Sequence, residues 1–428
     1  MKLLIKQGKI VSHRARRTET ADILVDQERI VRIGKKIAAR DVQQVIDAQG
    51  LPVFPGFVDM HTHLREPGYE YKETIQSGCR AAAAGGFTSV CCMPNTNPPL
   101  DNQAAVEFVV RRARECGGVN VFPIGAITRG RLGKELSEIG DLKKSGVVGL
   151  SDDGSAVVNA ELLRRAMEYA SMFDLPILCH CEDPDLAAGG VMHEGKISTV
   201  LGLKGIPSIA ESIIVARDIA LAAYTGARVH ICHVSCADSV DRIRRAKRQG
   251  VAVTAECCPH HFTLTDEAVS GYDTATKVNP PLRTRQDVEA IKKGLRDGTI
   301  DCIATDHAPH AAVEKDAEYA NAPFGIIGLE TAFALVISEL VNQDVLTLAQ
   351  VVEKMAWRPS EILRLGRGSI SEGAPADLTI VDPLQEWTIG REHLFSKSAN
   401  TPFIGRKVRG KVLYTVANGM PVFAAAAG

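Results

Sequence analysis

Along the chain, the pattern of apolar and polar positions changes rhythm twice. Over the first fifty residues, KLLIKQGKIV and ADILVDQERIVRIG alternate β-branched with polar residues and carry no helical period, which predicts short strands separated by turns. The last sixty behave alike. ADLTIVDP, EWTI and GRKVRGKVLYTVANGM read as strands punctuated by Gly and Pro, so the two chain ends are expected to share one small β-sandwich-like domain. The terminal AAAAG has nothing evident to pack on and is expected to fray.

Between the ends, short and nearly continuous apolar runs alternate with longer amphipathic segments. The runs are VFPGFVDMHTH, GFTSVCCMPNT, VNVFPIGAIT, VVGLSDDG, LPILCHCED, ARVHICHVS, VAVTAECCPHH and DCIATDHAPH. Helical stretches such as ELLRRAMEYASMF, SIAESIIVARDIALAAY, ADSVDRIRRAKRQG and GLETAFALVISELV follow them. Gly85, Gly86, Gly146, Gly226 and Gly250 stand where helix C-caps would lead into strands. About eight strand–helix units predict an α/β fold, a TIM-like (β/α)8 barrel, because strands apolar on both faces need helices covering the sheet. A doubly wound open sheet is the alternative architecture. The expected boundaries are residues 1–52 and 366–428 for the two parts of the small domain and 53–365 for the barrel.

Composition narrows the functional classes. The 428 residues carry 50 Lys+Arg against 51 Asp+Glu, a formal net charge of -1, which gives nucleic acid or an anionic membrane no strong electrostatic reason to bind. At 45% hydrophobic and 24% charged, the chain is globular rather than disordered. Charges interrupt the opening MKLLIKQGKIVSHRARR before a signal-peptide core can form, and no later stretch reaches about 18 uninterrupted apolar residues, so a cytoplasmic location is expected. The 11 Cys are odd in number, contain no CxxC pair and lie mostly in apolar runs, which points to free buried thiols in a reducing compartment.

Chemistry concentrates at the predicted strand ends, which in a barrel of this type form the active-site face. Strand one offers Asp59, His61 and His63, and the i, i+2 spacing puts both imidazoles on one side of a strand. Strand four ends in Ser151-Asp152-Asp153-Gly154, strand five in Cys179-His180-Cys181-Glu182, strand six in His230-Ile231-Cys232-His233, and strand eight in Asp306-His307-Ala308-Pro309-His310. A single His at a strand end is more often a hydrogen-bonded polar residue than a ligand. Five such ends at one depth point to a site for a divalent metal such as Zn²⁺. A structural thiolate site at Cys179, Cys181, Cys232 and Cys236 lacks the usual spacing. The phosphate-loop look of GRLGKE lacks a hydroxyl residue after Lys134.

Taken in order, VFPGFVDMHTHLREPG, CMPNTNP, GLSDDG, CHCED, CHVS, KVNPPLR, IATDHAPH, APFGIIGLET and the closing KSANTPFIGRKVRG resemble the amidohydrolase superfamily, and within it the class I dihydroorotases. The resemblance implies two zinc ions, with His61 and His63 as ligands of the first, His180 and His233 as ligands of the second, Asp153 spanning both, and Asp306 as both ligand and catalytic acid/base. Periodicity alone leaves Asp152 and Asp153 open; the resemblance selects Asp153. Other classes bridge with a carboxylated lysine, whereas Lys143 and Lys144 here precede the strand rather than ending it. Arg65 would pair with a substrate carboxylate, His63 would border it, and Asn95, Asn279 and His310 would complete the clamp, with the backbone at Phe324 and Gly325 closing on the ring amide. Taken alone, either Asn reads as a turn former. His260, His261 and His307 read as packing or supporting residues, and His13 and His393 as surface.

The activity implied is the reversible cyclisation of N-carbamoyl-L-aspartate to L-dihydroorotate in pyrimidine synthesis, with metal-activated water as the hydrolytic nucleophile. The rivals are a hydantoinase- or allantoinase-like hydrolase of neutral rings, and a silent scaffold for a carbamoyltransferase, although no expected ligand position is missing. A homodimer, and association with aspartate carbamoyltransferase, complete the expectations.

Overall fold

The computed structural model describes residues 1–13, 19–38 and 41–426; residues 14–18 of the basic opening stretch and 427–428 of the closing one lie outside the described residues. Five strands open the chain: β1 (Lys2–Ile10), β2 (Glu19–Asp26), β3 (Arg29–Gly34), β4 (Gln44–Asp47) and β5 (Pro52–Pro55). A central series follows: β6 (Phe57–Thr62), β7 (Phe87–Cys92), β8 (Asn120–Gly125), β9 (Gly149–Leu150), β10 (Ile177–Cys179), β11 (Met192–His193), β12 (Gly205–Ile206), β13 (Val229–Ile231), β14 (Val253–Cys257) and β15 (Cys302–Ile303). The chain closes with β16 (Leu378–Thr388), β17 (Lys407–Ala417) and β18 (Met420–Ala424).

Eight central strands pair in parallel in the order β15-β14-β13-β10-β9-β8-β7-β6, and a bridge between Thr62 and His307 brings the first strand of this series to the last. The result is a nearly closed (β/α)8 barrel, as the eight apolar runs predict; β11 and β12 pair apart from it. All six residues of β6 and of β7 are buried, the reason these strands read as near-continuous apolar runs. Met60, Cys91, Ile124, Leu178 and Cys302 come from five different strands and pack together with Cys232, which directly follows β13, as the inner core.

Local signals start and stop the outer helices, Gly226 among them as the sequence predicts. Thr74 caps the helix Ile75–Ala84 by accepting from the Ser77 N–H, and Thr284 caps Arg285–Asp297 by accepting from Asp287. Gly226 ends the helix Ile209–Thr225 at φ 71°, a left-handed turn that costs glycine no Cβ clash. No helix among the described residues is long and apolar enough to cross a membrane.

Strands from both ends form one mixed sheet in the order β18-β17-β16-β5-β1-β2-β3, with β4 paired to β1. Leu3, Ile5, Ile23, Val25, Ile30, Ile46, Val53, Leu378, Ile380 and Val416 give it a core of its own. The expected fraying of the AAAAG terminus is corrected for its described residues: Ala424 belongs to β18, and the Ala425 N–H donates to Leu413 O at 2.8 Å. A backbone hydrogen bond needs no side chain, which is why composition did not reveal it.

The two sheets are joined by burial and by hydroxyls. Phe57 stacks on Phe333 at 5.6 Å and meets Phe87 edge-on at 5.7 Å, while Phe54 of β5 meets Phe333 at 6.1 Å. Thr379 donates to Gly86 O (2.7 Å) and Thr415 to Ala83 O (2.6 Å), satisfying carbonyls at the end of the helix Ile75–Ala84. Replacing Phe57 by Ala removes the ring at the centre of this cluster. The variant is expected to lose about 3–5 kcal/mol of stability, read as a lower urea midpoint at unchanged slope.

Candidate metal centre and active site

The strand ends of β6, β9, β10, β13 and β15 deliver their polar residues to one place. Asp153 Oδ1 lies 3.2 Å from His61 Nε2 and 3.5 Å from both His180 Nδ1 and His233 Nε2, while its Oδ2 lies 3.5 Å from His63 Nε2. Asp306 Oδ1 lies 2.9 Å from His63 Nε2 and 3.5 Å from His61 Nε2. All six residues are buried. Asp152, the neighbour that periodicity could not exclude, instead accepts from the Thr128 N–H at 3.0 Å and from its hydroxyl.

Backbone strain marks the same rim. His233 (φ 34°), Asp306 (φ 48°) and Arg65 (φ 61°) all occupy the left-handed region, costly for residues with a Cβ and typical of positions held for function.

The donor set fits a divalent cation. His61, His63 and Asp306 form one group of ligand atoms all within 4.8 Å of one another, and His61, Asp153 and His233 form another. Within the cluster, His61 Nε2 and Asp153 Oδ1 are buried and lack a partner in hydrogen-bonding geometry, a costly state unless something else engages them, while the nitrogens of His180 and His233 that face Asp153 lie 3.0 Å from each other. Burial alone would suppress charge on these groups, yet the facing carboxylates hold His61 well above its ordinary pKa and His180 up to about 9. Burial likewise opposes ionisation of Asp153 and Asp306, but the surrounding histidines hold both well below the usual carboxylate range. The carboxylates are thus ionised and need compensating positive charge, which protons on these imidazoles supply or a cation that takes the protons' place would supply.

Three supporting residues were not singled out from the sequence for the parts they take here. Glu256 of β14, fully buried, faces His61 Nδ1 at 2.7 Å and His230 Nε2 at 3.2 Å; burial would raise its pKa, but these two imidazoles lower it to about 2. A carboxylate inside the apolar run VAVTAECC was the available signal. Asp59 accepts from the His61 N–H (3.0 Å) and the Thr305 hydroxyl (2.6 Å), and burial pushes its carboxyl up to about 7. Asn400, within the KSANTPF motif, bonds to the loop after β15.

The residues expected to touch substrate lie around this cluster. Arg65 donates from Nε to Pro309 O at 3.1 Å and places Nη2 3.3 Å from His310 Nε2. Asn95 turns its Oδ1 to His63 Nδ1 at 2.8 Å, so one end of its amide orients an imidazole of the cluster. Asn279 lines a cavity of about 400 Å³ with Glu182, Lys277 and Phe324, and its Oδ1 is buried without a partner. Lys277 sits over the Phe324 ring at 4.7 Å. Gly325 donates its N–H to Lys277 O (2.8 Å) and accepts from Asn400 Nδ2 (3.0 Å), so both of its backbone groups are engaged within the protein.

Among the remaining histidines, His261 Nε2 donates to Pro280 O at 2.9 Å and His307 faces Glu73 at 3.3 Å, both inside the protein. His13 and His393 are half-buried rather than simply on the surface, since each ring meets a tryptophan, Trp357 at 4.3 Å and Trp387 at 4.8 Å. All 11 cysteines are free, and Cys181 approaches Asp218 at 3.5 Å instead of forming a thiolate cluster with its neighbours.

The matching family model and the full-length relatives carry the same name. Residues 50–239 match the family model described as dihydro-orotase-like. Over 425 residues the chain is 55% identical to a dihydroorotase of Pelotomaculum thermopropionicum, covering 99% of this chain and 98% of that protein. It is 53% identical over 417 residues to a dihydroorotase of Acetivibrio thermocellus, covering 97% and 98% of the two chains. Among solved structures it superposes on a dihydropyrimidinase from Brevibacillus agri with a TM-score of 0.87 at 26% identity, covering 99% of this chain and 95% of that one. An L-hydantoinase from Arthrobacter aurescens shares the fold at a TM-score of 0.87 and 24% identity, covering 98% and 95%.

Glu256 holds the His61 Nδ1–H and so aims Nε2 into the cluster. Glu256→Gln is expected to weaken divalent-cation affinity by about 10–100-fold, measured by competition with a chromophoric chelator.

Proposed function

Because the chain belongs to the dihydroorotase family of cyclic amidohydrolases, we propose that its barrel mouth interconverts N-carbamoyl-L-aspartate and L-dihydroorotate, the ring-closing step of pyrimidine synthesis. His61, His63, Asp153, His180, His233 and Asp306 would hold two zinc ions, a choice supported by an all-imidazole and carboxylate donor set. The observation that carries this reading is the convergence of four buried imidazoles on the Asp153 carboxylate, with His61 Nε2 and Asp153 Oδ1 left unpartnered, beside the Arg65–His310 pair.

When bound, such cations polarise a carbonyl oxygen and bring the pKa of water down to about 7. The chain's own groups supply binding and proton transfer. Arg65 offers a planar fork of donors to the carboxylate that distinguishes dihydroorotate from neutral rings. Asn95, whose Oδ1 is held by His63, keeps its Nδ2 for the same carboxylate, and Asn279 and His310 border the remaining polar edge. His63 lies between substrate and Asp306, and the Phe324–Gly325 segment closes the side of the ring amide. In ring opening Asp306, kept ionised by His61 and His63, takes the proton of the attacking water and returns it to the departing amide nitrogen. In ring closure the same carboxylate takes the proton of the attacking ureido nitrogen and delivers it to the leaving oxygen.

The wider setting is part of the same proposal. A cytoplasmic location is supported by 11 free cysteines, a homodimer and association with aspartate carbamoyltransferase are proposed with it, and residues 1–52 and 366–428 would act as one domain against a 53–365 barrel.

Chelation is expected to remove the metal and abolish both directions of the reaction, with metal content and turnover measured on the same sample. Asp306→Asn is expected to keep bound metal while kcat falls about 10²–10⁴-fold; a near-normal rate refutes the proton-transfer role. Assay of carbamoyl aspartate, dihydroorotate, hydantoin and allantoin tests the substrate, because turnover of the neutral rings alone would overturn the carboxylate assignment.

A further inference from the structure

The motif KSANTPF is not used by the chemistry above, yet it lies against the site. Residues 395–401, between β16 and β17, run across two loops that follow β6 and β15, the first carrying Arg65 and Lys72 and the second His310 and Gly325. Toward the first loop, the Lys397 N–H donates to Glu73 (3.1 Å), Lys397 Nζ to Glu70 O (2.7 Å) and the Ser398 hydroxyl to Lys72 O (2.7 Å). Toward the second, the Glu330 side chain accepts from the Phe395 N–H (3.0 Å) and the Ser396 N–H (2.9 Å), and one buried side chain, Asn400, makes the contacts nearest His310. Asn400 Oδ1 accepts from the His310 N–H at 3.1 Å, while Asn400 Nδ2 donates to Ala308 O at 3.1 Å and to Gly325 O at 3.0 Å.

This arrangement demands an amide. An acceptor and two donors on one short planar group are needed, and an aspartate would set negative charge against two carbonyl oxygens. The contact is also tight. Gly325 has φ 123°, and a Cβ there would stand 2.7 Å from Ala308 Cβ and 3.3 Å from His310 Nε2, so the backbone at 325 lies directly on the strand-eight end. His310 in turn stands 3.3 Å from Arg65 Nη2.

We propose that Asn400 is a positioning residue for substrate recognition: by tying the His310 N–H to the Ala308 and Gly325 carbonyls, it holds His310 where Arg65 and the substrate carboxylate need it. The inference rests on the functional reading above, and it assigns to the chain's C-terminal part a share in specificity while leaving the chemical step to Asp306. Removing the side chain leaves one N–H and two carbonyls without their partner and frees His310 to drift from Arg65.

The test is Asn400→Ala in the full-length, metal-loaded protein. KM for both carbamoyl aspartate and dihydroorotate is expected to rise about tenfold or more while kcat stays within about threefold, the signature of lost binding without lost chemistry. Metal content stays as in the wild type. Amide exchange separates positioning from general loosening: His310 loses protection, whereas Ile327, whose N–H donates to the backbone oxygen of Asn400 at 3.0 Å, keeps it. Should the Ala variant not fold, Asn400→Ser carries the same measurements. Unchanged KM, a fall in kcat at constant KM, or intact His310 protection overturns the proposal. A wild-type chain that turns over neither compound overturns the functional reading and this inference with it.

Discussion

Asp153 is the group on which the barrel mouth depends. Its two oxygens face four imidazoles, from strand ends far apart in sequence, at 3.2 to 3.5 Å, in a place from which water is largely excluded. An isolated carboxylate there would cost far more than a single domain can spare, so the residue is tolerable only because positive charge, on protons or on a cation, is held around it. Asp306 and Glu256 repeat the condition on either side of His61. The site is therefore a collective object: each charge makes its neighbours' burial possible.

That collective arrangement needs rigid support, and it comes in layers. Beneath the cluster, Glu256 and Asp59 hold the ring and backbone of His61, while the sulfur-rich inner core of Met60, Cys91, Cys232 and Cys302 fills the barrel below. Above it, Asn95 orients His63, and residues 395–401 tie the Arg65 loop to the His310 loop. Outside it, β16 and β17 satisfy the carbonyls that end the helix Ile75–Ala84. The chain ends thus take part in the site through hydrogen bonds rather than through ligands.

Much of this was legible in the residues themselves. The eight apolar runs and the glycines before them announced the barrel, and the histidines and aspartates gathered toward their ends announced the mouth, because burial on both strand faces makes a polar residue costly unless the strand stops there or a partner is built to meet it. Other features were not legible. The pairing of β6 with β7 shifts register between Asp59 and Thr62, and strand alternation does not predict such a shift. Glu256 was visible only as a charge out of place in an apolar run, and its partners His61 and His230 could not be named without coordinates. The AAAAG terminus carried no side-chain signal for the backbone bond it makes.

The amino-acid order by itself determined the architecture and the inventory of the site: period-two and near-continuous apolar patterns are local properties, and so is the choice of imidazole and carboxylate at strand ends. Only the folded chain decided which of those groups meet. Asp153 rather than Asp152 reaches the cluster, Asn95 turns its oxygen to His63, and Asn400 binds a loop some ninety residues away. The reason is geometric: closing eight strands into a ring sets distances between residues that are remote along the chain, and no local pattern encodes a distance between two elements that meet only when the ring is complete.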